Sequence, residues 1–231
     1  MTAHGGGVAA NEPAADVVDH AVAYRSATGH RYEVVESEVA FTGRIIAVRR
    51  DTVRMPDGGV SQRDVVVHPG AVGVVALDEA DRVVMVHQYR HPVRRPLWEL
   101  PAGILDVPGE PPVEAAAREL AEEANLTAGR WDLLVDVLAS PGMTNEAYRL
   151  FLARDLAAIP LSEQHVRVHE EADMQVTRID LDKAVSQVLE GSITNAMAVV
   201  GLLAAVTARA HGFTRLRLVD APWPDRPDPV G

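Results

Sequence analysis

The segment PPVEAAARELAEEAN, Pro111 to Asn125, constrains the chain more than any other stretch. Pro111 and Pro112 suit a first helical turn, where the N–H that proline lacks would have no partner in any case. VEAAARELAEE is built of strong helix formers, and Asn125 is of a type that can end a helix in the left-handed conformation. The spacing predicts a helix from about Pro111, packed through Ala115, Ala116, Leu120 and Ala124. Glu119, Glu122 and Glu123 then stand at i, i+3 and i+4. At ~100° per residue their carboxylates fall within an arc of roughly 100° on one face. Two readings fit. A solvated acidic face is one, because like charges at this spacing cost only about 0.2–0.5 kcal/mol per pair. A platform for a hard divalent cation, which prefers oxygen ligands, is the other.

Composition narrows the setting. With 231 residues, 47% of them hydrophobic, the chain can bury one large core with room for a small accessory unit. The formal net charge of -11 speaks against wrapping nucleic acid, which needs clustered Lys and Arg to displace counterions. A polyanionic substrate would therefore need local help from a metal ion or a few placed arginines. The absence of cysteine excludes disulfides, thiol nucleophiles and Cys-based metal sites, and fits a cytoplasmic protein. No membrane association is expected. The N-terminus has no basic segment followed by an apolar run, and the run AMAVVGLLAAV is about half of the roughly 20 residues that span a bilayer.

Shifts in composition suggest four regions. Residues 1–28, rich in Ala, Gly and small polar groups without periodicity, read as a mobile tail. Residues 29–68 read as a small antiparallel β unit, with PDGG as a hairpin turn between GRIIAVRRDTVRM and QRDVVVHP. Residues 69–214 carry two buried strands joined at DEAD, the acidic helix, further strands in WDLLVDVLAS, EAYRLFLARDL and ADMQVTRID, and two closing helices. Gly191 and Gly212 mark helix stops, with Ser192, Thr194 or Asn195 as a cap for the last helix. Residues 215–231 form a proline-rich tail, expected to be extended or mobile. The fold class expected is α/β, with a mixed sheet.

The residues around the helix separate the two readings of its acidic face. WELPAGILDVPGEPPVEAAARELAEEANL resembles the Nudix box, G-x5-E-x7-R-E-U-x-E-E-x-G-U with U aliphatic. The core R-E-U-x-E-E is complete in Arg118, Glu119, Leu120, Ala121, Glu122 and Glu123, and Glu110 stands at the required distance before Arg118. Two departures occur: the interval from Gly103 to Glu110 holds one residue too many, and Asn125 replaces the glycine after the glutamate pair. A longer loop changes closure entropy little, and Asn tolerates positive φ. The resemblance implies a Nudix α/β/α sandwich and a hydrolase that uses Mg2+ or Mn2+. It further implies Glu119, Glu123 and the Ala102 carbonyl as metal ligands, with Glu122 contributing both to the metal and to catalysis. Glu110 and Arg118 become a structural ion pair, with Arg118 directed away from Glu119 and Glu123.

The flanks HQYRHPVRRPLWELPAG and SPGMTNE resemble the ADP-ribose pyrophosphatase branch of that family. By position Arg90 is expected at the substrate's phosphates or ribose and Glu99 near the adenosine ribose, with Arg63 and Glu146 as further substrate contacts. The alternatives are a surface arginine for Arg90 and a pairing with Arg94 or Arg95 for Glu99. A glutamate on a loop beyond the box supplies the catalytic base in related enzymes. SEQHVRVHEEADM offers Glu163, Glu170, Glu171 and Asp173, of which Glu170 and Glu171 are preferred. His68 and His87 read as sheet residues at strand ends, and Trp98 as packing. The resemblance implies a homodimer joined through the N-terminal unit, where Tyr32 and Phe41 are placed to stack on adenine. The activity it implies is hydrolysis of ADP-ribose to AMP and ribose 5-phosphate. The rivals are another nucleoside diphosphate derivative as substrate, or a non-catalytic ADP-ribose sensor.

Overall fold

The computed structural model describes residues 29–167 and 173–227. Strands β1 (Val34–Thr42), β2 (Ala47–Arg54) and β3 (Val60–Val67) form an antiparallel sheet, and the Pro56–Gly59 stretch turns β2 into β3. The chain then enters the main body through β4 (Ala71–Ala76) and β5 (Arg82–Arg90). Two short strands that the pattern did not reveal follow, β6 (Arg95–Glu99) and β7 (Ala102–Ile104). Helix α1 (Pro112–Ala124) leads directly into β8 (Leu126–Leu138), which pairs with β9 (Ala147–Ala158); β10 (Gln175–Asp180), α2 (Leu181–Leu189) and α3 (Ala196–Ala210) complete the order.

The main body holds two sheets. One runs β7-β4-β9-β8 and is mixed, because β4 and β9 are parallel while their outer neighbours are antiparallel. The other runs β10-β5-β6. Alternation along β4 and β9 explains the sandwich. Val72, Val74, Phe151 and Ala153 join the cluster of Ala115, Ala116 and Leu120 on α1. Val75, Leu150 and Leu152 join that of Leu181, Ala184, Met197, Ala198, Leu202 and Ala205 on α2 and α3. Strands buried on both faces read as continuous apolar runs for this reason.

Asn195 caps α3, its side-chain oxygen accepting the Ala198 N–H at 3.0 Å. Gly201 sets how closely α3 approaches the sheet. A Cβ there would lie 2.6 Å from Leu100 Cδ1 and 2.9 Å from Leu150 Cδ2. Gly201→Ala is therefore expected to destabilise the protein by about 1–3 kcal/mol through overpacking, measurable as a lower urea midpoint. Among the described residues no helix is long and apolar enough to cross a membrane.

Candidate active site

Helix α1 begins without a side-chain cap at Pro111 and ends at Asn125, which adopts φ 55° and ψ 41° while its N–H bonds to Ala121 O. The left-handed stop thus exists with Asn in place of glycine. Among the described residues the buried Asn125 side-chain oxygen has no hydrogen-bond partner, so what the structure shows of this residue's part in the stop is its backbone. In Asn125→Gly the relief of the left-handed residue opposes the greater chain entropy of glycine, each about 0.4–1 kcal/mol. Stability should shift by less than about 1 kcal/mol, and the rate of any reaction at this site by less than about twofold. A large loss of rate would give the side chain a role beyond the turn.

The acidic face of α1 is set against β7. Glu123 is 4% exposed, and its carboxylate accepts the Ala102 N–H at 2.9 Å. Gly103 lies under Glu119: a Cβ on that residue would fall inside the Glu119 carboxylate. Val74 N–H donates to Pro101 O at 2.9 Å and Leu105 N–H to Gly70 O at 3.0 Å, so alternate residues of this edge bond to β4 and its flanks. Ala102 falls between them and turns its N–H, and with it its carbonyl, away from β4.

The expectation that Arg118 is directed away from this face is corrected. Its Nε and Nη2 donate to Glu110 at 3.1 and 3.0 Å, as an ion pair within the box requires. Its remaining nitrogen, Nη1, bonds to Glu119 at 2.6 Å and lies 3.6 Å from Glu122. A guanidinium presents donors on two edges, so one arginine can bridge the loop carboxylate and the helix face at once. The Glu110 hydrogen bonds, followed by the attraction of Glu119, outweigh burial and raise the Arg118 pKa.

A second group of polar residues lies at β5, β6 and β9. Glu99, 2% exposed, is held by Arg90 through Nη2 at 2.6 Å and Nε at 3.0 Å. Its partner is thus Arg90 rather than Arg94 or Arg95: in the β5–β6 hairpin Glu99 stands opposite Val86 and Arg90 opposite Arg95, and the Arg90 side chain reaches along the hairpin to the Glu99 carboxylate. Gln88 is buried beside them, 3.4 Å from Glu99. Glu146 sits between His68, at 3.5 Å, and Tyr148. Burial first, then the charge of Glu146, pushes the Tyr148 hydroxyl up to about 12, so it stays a donor to that carboxylate. Burial lowers the pKa of His68 in spite of Glu146, and its Nδ1 accepts the Gly70 N–H at 3.0 Å. Arg63 is exposed on β3 and bonds within its own strand, to Ser61 Oγ and Gln62 O. His87 lies inside β5, not at its end, and stacks on Trp98 with ring centroids 4.4 Å apart. Glu170 and Glu171 lie outside the described residues.

One contact had no signal beyond a lone arginine in a polar segment. Arg167 donates to Glu123 O at 2.6 Å and to Met174 O at 3.4 Å, tying the chain on both sides of residues 168–172 to the end of α1. Last-turn carbonyls of a helix lack intrahelical donors, and a cation suits that end of the dipole.

Residues 67–187 match the NUDIX domain. The chain belongs to the Nudix hydrolase family. Residues 32–66 of this Nudix protein match the nucleoside diphosphate sugar hydrolase N-terminal domain. It is 48% identical over 198 residues to an ADP-ribose pyrophosphatase of Mycobacterium tuberculosis, covering 86% of this chain and 94% of that one. It is 34% identical to an ADP-ribose pyrophosphatase of Bacillus subtilis over 68% of this chain and 82% of that one. A protein of Bacillus methanolicus named methanol dehydrogenase activator is 32% identical, with 74% and 90% covered. The crystal structure of an ADP compounds hydrolase shares the fold with a TM-score of 0.67 at 20% identity, over 78% of this chain and 96% of that one.

Nudix hydrolases generally need a divalent metal. Among the described residues no three acidic or histidine side chains converge as a closed cage. Arg118 holds Glu119, and the Ala102 N–H holds Glu123. The donor set still suits a hard cation that keeps several waters and shares its shell with substrate phosphates: it is all oxygen, and Gly103 leaves the space its carboxylates need.

Proposed function

We propose that this Nudix hydrolase cleaves the diphosphate of ADP-ribose to AMP and ribose 5-phosphate, using Mg2+ or Mn2+. The observation that carries the reading is the acidic face of α1, with Glu119 seated on Gly103 and Glu123 on the Ala102 N–H, in a chain so similar to the mycobacterial ADP-ribose pyrophosphatase. Glu119, Glu123 and the Ala102 carbonyl are the metal ligands in this reading, and Glu122 assists. A bound divalent cation supplies charge neutralisation at the phosphates and a more acidic water. Arg90, held by Glu99 through Nε and Nη2, supplies a guanidinium charge to the diphosphate, while Glu99 and Glu146 stand by the ribose and Arg63 adds a cationic contact. Water attacks one phosphorus, the bond from that phosphorus to the bridging oxygen breaks, and the proton passes to Glu170 or Glu171. A substrate that binds through these groups lets so acidic a protein accept an anion.

The N-terminal sheet supports a homodimer. Strand β1 is exposed along its whole length, and Val34, Val39 and Phe41 are all outside the core. A free strand edge with an apolar face calls for a partner, and a second copy supplies one. A soluble, cytoplasmic protein without disulfides accords with this reading. The match of residues 32–66 to a nucleoside diphosphate sugar hydrolase domain favours a second reading, in which a sugar nucleotide is the preferred substrate.

The test is steady-state kinetics with Mg2+ on ADP-ribose, ADP-glucose and a diadenosine polyphosphate, with AMP quantified. The highest kcat/KM is expected for ADP-ribose. No AMP from that substrate would end the ADP-ribose reading, and a higher kcat/KM for the sugar nucleotide would transfer it to the second. Sedimentation velocity should show twice the chain mass.

A further inference from the structure

The proline-rich C-terminal segment is built into the body rather than attached to it. Phe213 lies under the Arg154 guanidinium at 4.4 Å, and the Arg217 carbonyl accepts the Leu133 N–H at 3.1 Å. Arg149, only 3% exposed, binds Asp136 through Nε at 2.8 Å and Nη2 at 3.1 Å. Its other hydrogen bonds go to the strap carbonyls of Ala221, at 2.8 Å, and Pro222, at 3.1 Å, and its face rests on Trp223 at 4.6 Å. A buried guanidinium is tolerable only with its donors satisfied, so Arg149 fixes the segment as firmly as the segment satisfies Arg149. Val219 and Ala221 pack on the cluster that includes Ala115, Ala116 and Leu120 of α1.

The segment Leu216–Pro227, a strap across the body, ends against Gly70. Pro227 is buried, and its ring would lie 3.1 Å from a Cβ on Gly70. Gly70 has φ +87°, a conformation reserved for glycine, and its carbonyl accepts the Leu105 N–H at 3.0 Å. Leu105 opens the loop that ends at Glu110, and Glu110 holds Arg118, which holds Glu119.

We infer that the strap Leu216–Pro227 positions the box loop through Gly70, so that Pro227 and Trp223 act on the register of Glu110, Arg118 and Glu119. The kinetic half of this inference rests on the proposed ADP-ribose hydrolysis; the structural half does not. The experiment compares the full chain with Pro227→Gly, Trp223→Ala and Trp223→Phe by amide hydrogen exchange and by steady-state kinetics. In Pro227→Gly and Trp223→Ala the Leu105 amide should exchange about tenfold faster, while Val84 and Leu152 stay within about twofold. In the same variants kcat should fall about 3- to 10-fold with KM nearly unchanged, and Trp223→Phe should restore both readouts. An unaltered Leu105 amide, an equal acceleration at Val84 and Leu152, or a loosened Leu105 with unchanged kcat would each overturn the inference. An inactive parent chain would instead remove the substrate reading, and the exchange data would still decide whether the strap holds the loop.

Discussion

Glu123→Gln is expected to lower kcat by about 10²–10³-fold, the loss typical of removing one group that stabilises charge at the reacting centre. The Glu123 carboxylate is 4% exposed and accepts the Ala102 N–H at 2.9 Å. A glutamine has the same shape and keeps a carbonyl oxygen for that bond, so β7 stays in place and the fold survives. The charge is lost, and with it the affinity for a hard cation that the proposed function assigns to the α1 face. Two measurements check this: AMP release at saturating Mg2+, and the rise in Tm expected of the parent chain if Mg2+ binds its native state alone. Both should collapse in the variant while its Tm without metal remains close to that of the parent. Equal AMP from both proteins would remove Glu123 from the metal shell.

How much of this was legible in the sequence depended on whether the signal was local. Helix α1 and its stop are local: propensity, proline at the start and a residue tolerant of φ 55° at the end suffice. The acidic face needed only the 3.6-residue period. Strands β4 and β5 were visible as apolar runs because their centres are buried on both faces. Strands β6 and β7 were not, since Arg95–Glu99 contains a proline and Ala102–Ile104 is too short to carry a period, and their pairing is decided by distant partners, β5 and β4. Arg118 was misjudged for a related reason. Helical geometry fixes where its Cβ points, but a long flexible side chain goes where charge draws it, and Glu110 and Glu119 lie on either side. The anchoring of the C-terminal segment depends on Arg149, more than seventy positions earlier than the carbonyls it binds, and composition alone suggests only an extended chain.

The second large effect is expected at a residue with no side chain. In Gly103→Ala the new methyl falls inside the Glu119 carboxylate, and the conflict has two exits. Glu119 can swing off β7, giving up its 2.6 Å bond to Arg118 and its place beside Glu123. Alternatively β7 can lift from β4, straining the Val74–Pro101 and Leu105–Gly70 hydrogen bonds. Either exit moves a carboxylate by about a methyl radius, and displacements of about 1 Å cost up to 10²-fold in rate. A stability loss of about 1–3 kcal/mol should accompany it, as in other overpacked sites. Gly103→Ala combined with Glu119→Ala separates the two consequences. Removing the carboxylate makes room for the methyl, so the double variant should recover most of the lost stability, with a coupling in the range of about 0.5–3 kcal/mol expected for touching residues. Its activity should stay as low as that of Glu119→Ala alone. If Gly103→Ala keeps the parental kcat, Glu119 reaches its working position by a route that does not pass over Gly103. If the double variant is no more stable than Gly103→Ala, the methyl meets something other than Glu119.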